Sequence, residues 1–166
     1  MTPADLLTDS LDRVRESVAA VLDGASDDLL AQRPGPDANT IAWLVWHLTR
    51  VLDDHVSDVA GAEQAWTAGG YAERFGLPFD TAEIGYGQTT EQVGQVRAPA
   101  ALLADYYEAT HAQALAFVGG VSPEDLDRVV DERWDPPVTL GVRLVSVVND
   151  CTQHVGQAAY LRGLLG

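Results

Sequence analysis

The chain of 166 residues contains no lysine: its ten basic residues are all arginine, set against 25 Asp and Glu, for a formal charge of −15. That surplus makes the phosphate backbone of nucleic acid and an anionic membrane surface electrostatically poor partners, so neither is expected. Arginine without lysine, together with abundant Ala, Val, Gly and Asp, is the mark of a GC-rich genome. Cysteine is nearly missing too. The single Cys151 excludes an internal disulfide framework and fits a reducing compartment. No apolar run approaches the ~20 residues that a membrane-crossing helix requires. The acidic opening MTPADLLTDS lacks the basic region of a secretory signal, and a cytoplasmic protein is expected.

What is present describes one globular domain over residues 1–166. Hydrophobic residues make up 46% and charged ones 21%. This length can bury a core without disulfide or metal staples, so any bound metal is expected to serve function rather than folding. Residues 2–23 read as an amphipathic helix, with Thr2 as its cap, Pro3 at the first position, and Leu7, Leu11, Val14, Val18 and Val21 at helical spacing. Gly24 ends it. After the turn-rich RPGPDANT, Asn39 or Thr40 caps a second helix running to about Ala60. Residues 61–98 are rich in glycine. They predict a short helix around Gly61–Ala68 and then a long ordered loop, pinned by Trp66, Tyr71, Phe75, Phe79 and Tyr86; so long a loop in a small domain tends to carry function. Pro99 or Ala100 opens a third helix through Phe117, closed by Gly119-Gly120. Ser122-Pro123-Glu124-Asp125 starts a short helix, and the loop DERWDPPVT leads into a fourth long helix from about Leu140 to Leu165. Four long helices and no segment that reads as a strand predict an all-α four-helix bundle with a long irregular loop between helices 2 and 3.

Asp150 and His154, four residues apart on the last helix, project from one face with Cβ atoms roughly 5–6 Å apart, close enough to share an ion. His47, in IAWLVWHLTRVL, sits among residues that must face the core, so its ring is neutral and hydrogen-bonded or else bound to a metal. Two imidazoles and one carboxylate suit a divalent transition metal with positions left open. Each piece also has a plainer reading: His47 as a satisfied core histidine, and Asp150 with His154 as a buried ion pair. His55, about 80° round the helix and ~12 Å along it from His47, is too far to join the same ion. It reads as a surface or loop-packing residue, and His111, paired with Tyr107, as a rim residue, with a cavity-lining residue as the alternative. Arg143 is placed to hold an anionic group of a substrate or to pair with an aspartate. Gln157 lies on the Asp150 stripe and is placed to bond a ligand. Cys151 reads as a packed thiol, with a peripheral ligand as the alternative.

His47 in WLVWHL, with Asp150-x-x-x-His154 followed by Val155-Gly156-Gln157, resembles the DinB-like metal-binding four-helix-bundle superfamily. The segments AWTAGGYAERFGLP, GYGQTTEQV and PPVTLGVRLVSVVNDCTQHVGQAAYLRGLL extend the likeness over essentially the whole chain, toward an actinomycete branch related to mycothiol-dependent S-transferases and maleylpyruvate isomerases. The resemblance implies a divalent metal, usually zinc or nickel, held by His47, Asp150 and His154. It also implies a low-molecular-weight thiol co-substrate whose metal-bound thiolate attacks an electrophilic small molecule. Homodimers are common in the superfamily and belong to the expectation. Two alternatives remain at this point: a hydrolase using metal-bound hydroxide, and a non-catalytic bundle that binds a metal or small ligand.

Overall fold

The computed structural model describes residues 1–166. Thr2 caps the first helix, α1 (Pro3–Leu22), through a reciprocal pair of bonds with Asp5, and the Leu11, Val14, Val18, Val21 stripe is buried as its spacing requires. Ser26 caps a short α2 (Asp27–Ala31), which the sequence reading passed over. Of the two candidate caps for the next helix, Thr40 is the one used: its hydroxyl accepts from the Trp43 N–H and starts α3 (Ile41–Ala60). All thirteen residues from Ile41 to Asp53 are buried, so α3 is the central rod of the bundle.

The glycine-rich stretch is more structured than expected. It forms α4 (Ala65–Ala68), α5 (Tyr71–Phe75) and α6 (Thr90–Gln95), separated by turns, where one short helix was expected. Tertiary bonds carry what the local sequence lacks here, because helices of four to six residues do not persist alone. Trp66, Tyr71 and Phe75 are buried against Tyr106, while Tyr86 keeps 59% of its surface exposed. Then come α7 (Ala100–Val118), a 3-10 turn over Glu124–Asp127, and α8 (Leu140–Leu165).

Between the turn and α8 lies a feature that the sequence reading excluded. Val129–Asp131 (β1) and Val138–Thr139 (β2) pair antiparallel, Val129 opposite Thr139 and Asp131 opposite Val138. The expectation of no strand is corrected by this small hairpin. Its strands are too short to show an alternating pattern, and they are held by pairing and by the Leu140 N–H bond to the Arg128 carbonyl at 2.8 Å. The protein is otherwise helical: α1, α3, α7 and α8 enclose one cluster of 36 buried apolar residues, and no helix is long and apolar enough to cross a membrane.

Candidate metal centre

His47 projects from the middle of α3, and Asp150 and His154 from successive turns of α8, which packs alongside it. Ligand-capable atoms of the three side chains all lie within 4.8 Å of one another. The two imidazoles meet edge to face with centroids 4.6 Å apart. His47 is 2% exposed, whereas the side chains of Asp150 and His154 retain 18% and 19%. The cluster therefore has a closed side toward the core and an open side toward solvent.

Each ring has one nitrogen already spoken for. His47 Nδ1 contacts the Ile84 carbonyl at 2.5 Å, and His154 Nδ1 contacts the backbone carbonyl of Asp150 at 2.9 Å. A carbonyl only accepts, so Nδ1 of each ring is the donor and Nε2 holds the lone pair. Burial pushes the His47 pKa below the usual histidine value, and the ring is neutral at pH 7, as a ligand must be. The Asp150 carboxylate, 3.2 Å from His154 Nδ1, pushes His154 upward instead. Proximity here is not a hydrogen bond: Asp150 Oδ2 is buried and has no hydrogen-bond partner. A carboxylate oxygen stripped of water and left without a hydrogen bond costs about 1–3 kcal/mol or more, which its charge contact with His154 offsets only in part. Together with two imidazole lone pairs it is the donor set of a divalent transition metal, so these residues fit such an ion.

Trp43, one turn before His47 on α3, stacks on the imidazole at 4.6 Å and 15° and meets His154 edge-on at 6.1 Å. Its indole N–H donates to Gln88 Oε1 at 2.8 Å. Tyr86 covers the other edge of His47, with ring centroids 5.3 Å apart. Gly85 lies so near that an added Cβ would stand 2.5 Å from His47 Nδ1. The sequence pattern points to the loop from Trp66 to Tyr86 as a cover for the site, but nothing in it singles out Ile84 or Gly85, or ties Trp43 and Gln88 to His47. The I-G-Y-G run over 84–87 was a visible signal of tight backbone, but nothing in its spacing ties it to His47.

The remaining sequence candidates lie around the cluster. Arg143 takes the ion-pair alternative: it donates to Asp131 Oδ2 at 3.2 Å and contacts His55 Nδ1 at 2.9 Å. Arg133 also grips Asp131, at 2.9 and 2.8 Å, and these bonds hold the Asp131 carboxyl well below the usual carboxylate range, with Arg143 adding to the effect. Arg143 still edges a recess of about 340 Å³ between the hairpin and α8, shared with Tyr86 and Trp134. Gln157 is exposed and edges a cleft of about 500 Å³ with Asn39, Leu44 and Tyr160 at the other end of α8. No hydrogen bond joins it to the cluster. His55 stands apart from the cluster, as its spacing required. His111 is not a rim residue: it is 5% exposed, stacked on Tyr107 and turned toward Asp12. The α1 helix covers it, which the α7 sequence alone does not foretell. Cys151 is a packed thiol, fully buried, contacting the Leu48 carbonyl at 3.6 Å and pushed to high pKa by desolvation.

Comparison with known proteins agrees with this architecture. A family model described as Mycothiol-S-transferase matches residues 6–166. A crystal structure described as the conserved protein of locus from Enterococcus faecalis superposes with a TM-score of 0.92 at 32% identity, covering 99% of this chain and 98% of the other. No curated protein matches the chain.

Proposed function

Because the chain belongs to the mycothiol-S-transferase family, within the DinB-like superfamily, we propose that it is a divalent-metal-dependent enzyme that transfers a low-molecular-weight thiol, mycothiol or a close analogue, to an electrophilic small molecule. The observation that carries the reading is the His47, Asp150, His154 cluster with its unpartnered, buried carboxylate oxygen. These three side chains would hold the ion. Bound there, a zinc or nickel ion supplies the charge that lowers a thiol's pKa from about 8.5 far enough for the thiolate to dominate at pH 7.

The protein's own residues do the rest. Trp43 and Tyr86 flank the His47 ring and exclude water from that side. The partly exposed edges of Asp150 and His154 leave an approach from solvent. The two recesses along α8, one at Arg143 and one at Gln157, are the places for the polar body of the thiol and for the electrophile. The thiol proton passes to solvent through the open side as the thiol binds, and the electron pair displaced when the carbon–sulfur bond forms leaves with the electrophile's departing group or, in an addition, takes a proton from solvent.

The test is conjugation of mycothiol to a reporter electrophile by metal-loaded and metal-stripped protein. Turnover that needs both metal and thiol, and that falls by at least about a hundredfold in His47→Ala and His154→Ala, supports the reading. Hydrolysis of an ester without added thiol would replace it with metal-assisted hydrolysis. Absence of stoichiometric metal would leave a non-catalytic bundle.

A further inference from the structure

One face of α3 grips the segment 79–88 along its whole length. Phe79 packs on Trp46 with centroids 6.2 Å apart. Arg50 donates to the Glu83 carbonyl at 3.2 Å and to the Thr81 carbonyl at 3.4 Å. His47 bonds the Ile84 carbonyl, and Trp43 bonds Gln88. Residues 43, 46, 47 and 50 recur at helical spacing, so the segment lies as a strap along a single stripe of α3.

Arg50 is an expensive anchor. Its side chain is wholly buried, and no surface salt bridge accounts for it. It reaches Gln64 Oε1 at 2.7 Å and Tyr106 OH at 3.3 Å, lies over the Trp66 ring at 4.9 Å, and stands 3.8 Å from Asp53. Burying a guanidinium carries a large desolvation penalty that its partners must offset. The two strap carbonyls it holds, Thr81 and Glu83, lie three residues and one residue before the carbonyl that His47 bonds.

We propose that Arg50 is a positioning residue for His47: by pinning the Thr81 and Glu83 carbonyls it aims the Ile84 carbonyl at Nδ1, which locks the imidazole with its lone pair on Nε2. The inference rests on the metal reading for its purpose, but its geometry stands without it. Backbone holds the ring here rather than a side-chain carboxylate, so the strap must come very close. Gly85 is what permits that approach. Its φ is +105°, and a Cβ would meet His47 Nδ1 at 2.5 Å and Trp43 at 3.3 Å. Gly87, two residues on, has a φ of +71° with open space around it. Alanine at 87 therefore imposes left-handed backbone strain without touching the ring, and serves as the matched control.

The experiment reads the His47 tautomer in metal-free protein by long-range 1H–15N correlation. Affinity for zinc and nickel ions is measured in parallel by competition with a chelator. Wild type and Gly87→Ala should show a single Nδ1–H tautomer. Arg50→Lys, which keeps the charge beside Asp53 but cannot span two carbonyls, should show mixed tautomers and metal affinity lower by roughly tenfold to a hundredfold. Gly85→Ala should do the same. If Arg50→Lys fails to fold, the comparison of Gly85→Ala with Gly87→Ala decides whether the strap sets the ring. An unchanged tautomer and unchanged affinity in folded Arg50→Lys, or Gly85→Ala indistinguishable from Gly87→Ala, overturns the proposal. Wild-type protein that binds neither ion yet shows the locked tautomer would sink the metal reading and leave the positioning role intact.

Discussion

Asp53 and Asp150 are both acids lodged in the bundle, and their surroundings treat them in opposite ways. Asp53, 2% exposed, accepts from the N–H groups of Ala65 and Trp66, from Tyr106 OH and from Ser57 Oγ, and it lies beside Arg50. Asp150 Oδ2 has no hydrogen-bond partner. The first carboxylate is part of the fold, and the second is, on the proposed reading, a metal ligand. Asp53→Ala should cost roughly 3–5 kcal/mol by urea unfolding, because it strands a buried guanidinium. Asp150→Ala should change the stability of metal-free protein by no more than about 1 kcal/mol, since the lost His154 contact offsets an unpaired oxygen. An equal loss in both would contradict this division.

The histidines give the pH dependence. Burial lowers the pKa of His47, His55 and His111, while Asp150 raises that of His154. For the first three, the unfolded chain binds protons more readily than the fold, so the stability they contribute is lost as pH falls below the unfolded value of about 6.5. His154 works the other way: its contribution is full below about 6.5 and is lost as pH rises through its raised value. Three groups act in the first direction and one in the second. The melting temperature of metal-free protein should drop as pH is lowered from about 6.5 toward 5, and His111→Gln should flatten the drop. A profile that is level or rising on acidification would refute this assignment of protons.

At the scale of elements, α3 matters most because it supplies Trp43, His47 and Arg50 together. The Thr40 hydroxyl that starts it is 2% exposed and accepts from the Trp43 N–H at 3.0 Å. Thr40→Ala should cost about 1 kcal/mol. Thr139→Ala at the start of α8, where the corresponding bond is 3.4 Å long, should cost less. Chemical denaturation of both variants checks the order.

The long helices were legible from sequence because periodicity and caps are local. Thr2 with Pro3, and the Val and Leu stripes, mark α1 without help from tertiary structure. So was the proximity of Asp150 to His154, which the helix imposes. The hairpin was not legible, because two- and three-residue strands carry no pattern and exist by pairing. The strap was not legible either. Its contacts with α3 run through backbone carbonyls at Thr81, Glu83 and Ile84, and carbonyls leave no trace in side-chain sequence. His111 was misplaced for a related reason: which face α1 covers is decided by packing.

For the molecule as a whole, the charge of −15 is a standing repulsion within a compact body. Raising ionic strength from about 10 to about 150 mM, which shortens the screening length from ~30 to ~8 Å, should raise the melting temperature of metal-free protein. A fall would show that attractive surface pairs such as Arg15–Glu108 outweigh the net charge. Within that acidic body lies the cluster where two imidazoles and the Asp150 carboxylate converge. The central claim is that this cluster holds an ion which activates a thiol. The most direct measurement is proton release on adding mycothiol to zinc- or nickel-loaded protein at pH 7, read by calorimetry in buffers of different ionisation enthalpy. The account predicts about one proton released per thiol bound by the loaded protein, and none by metal-free protein or by His47→Ala. Thiol binding with no proton release, or the same release with and without the metal, would contradict it.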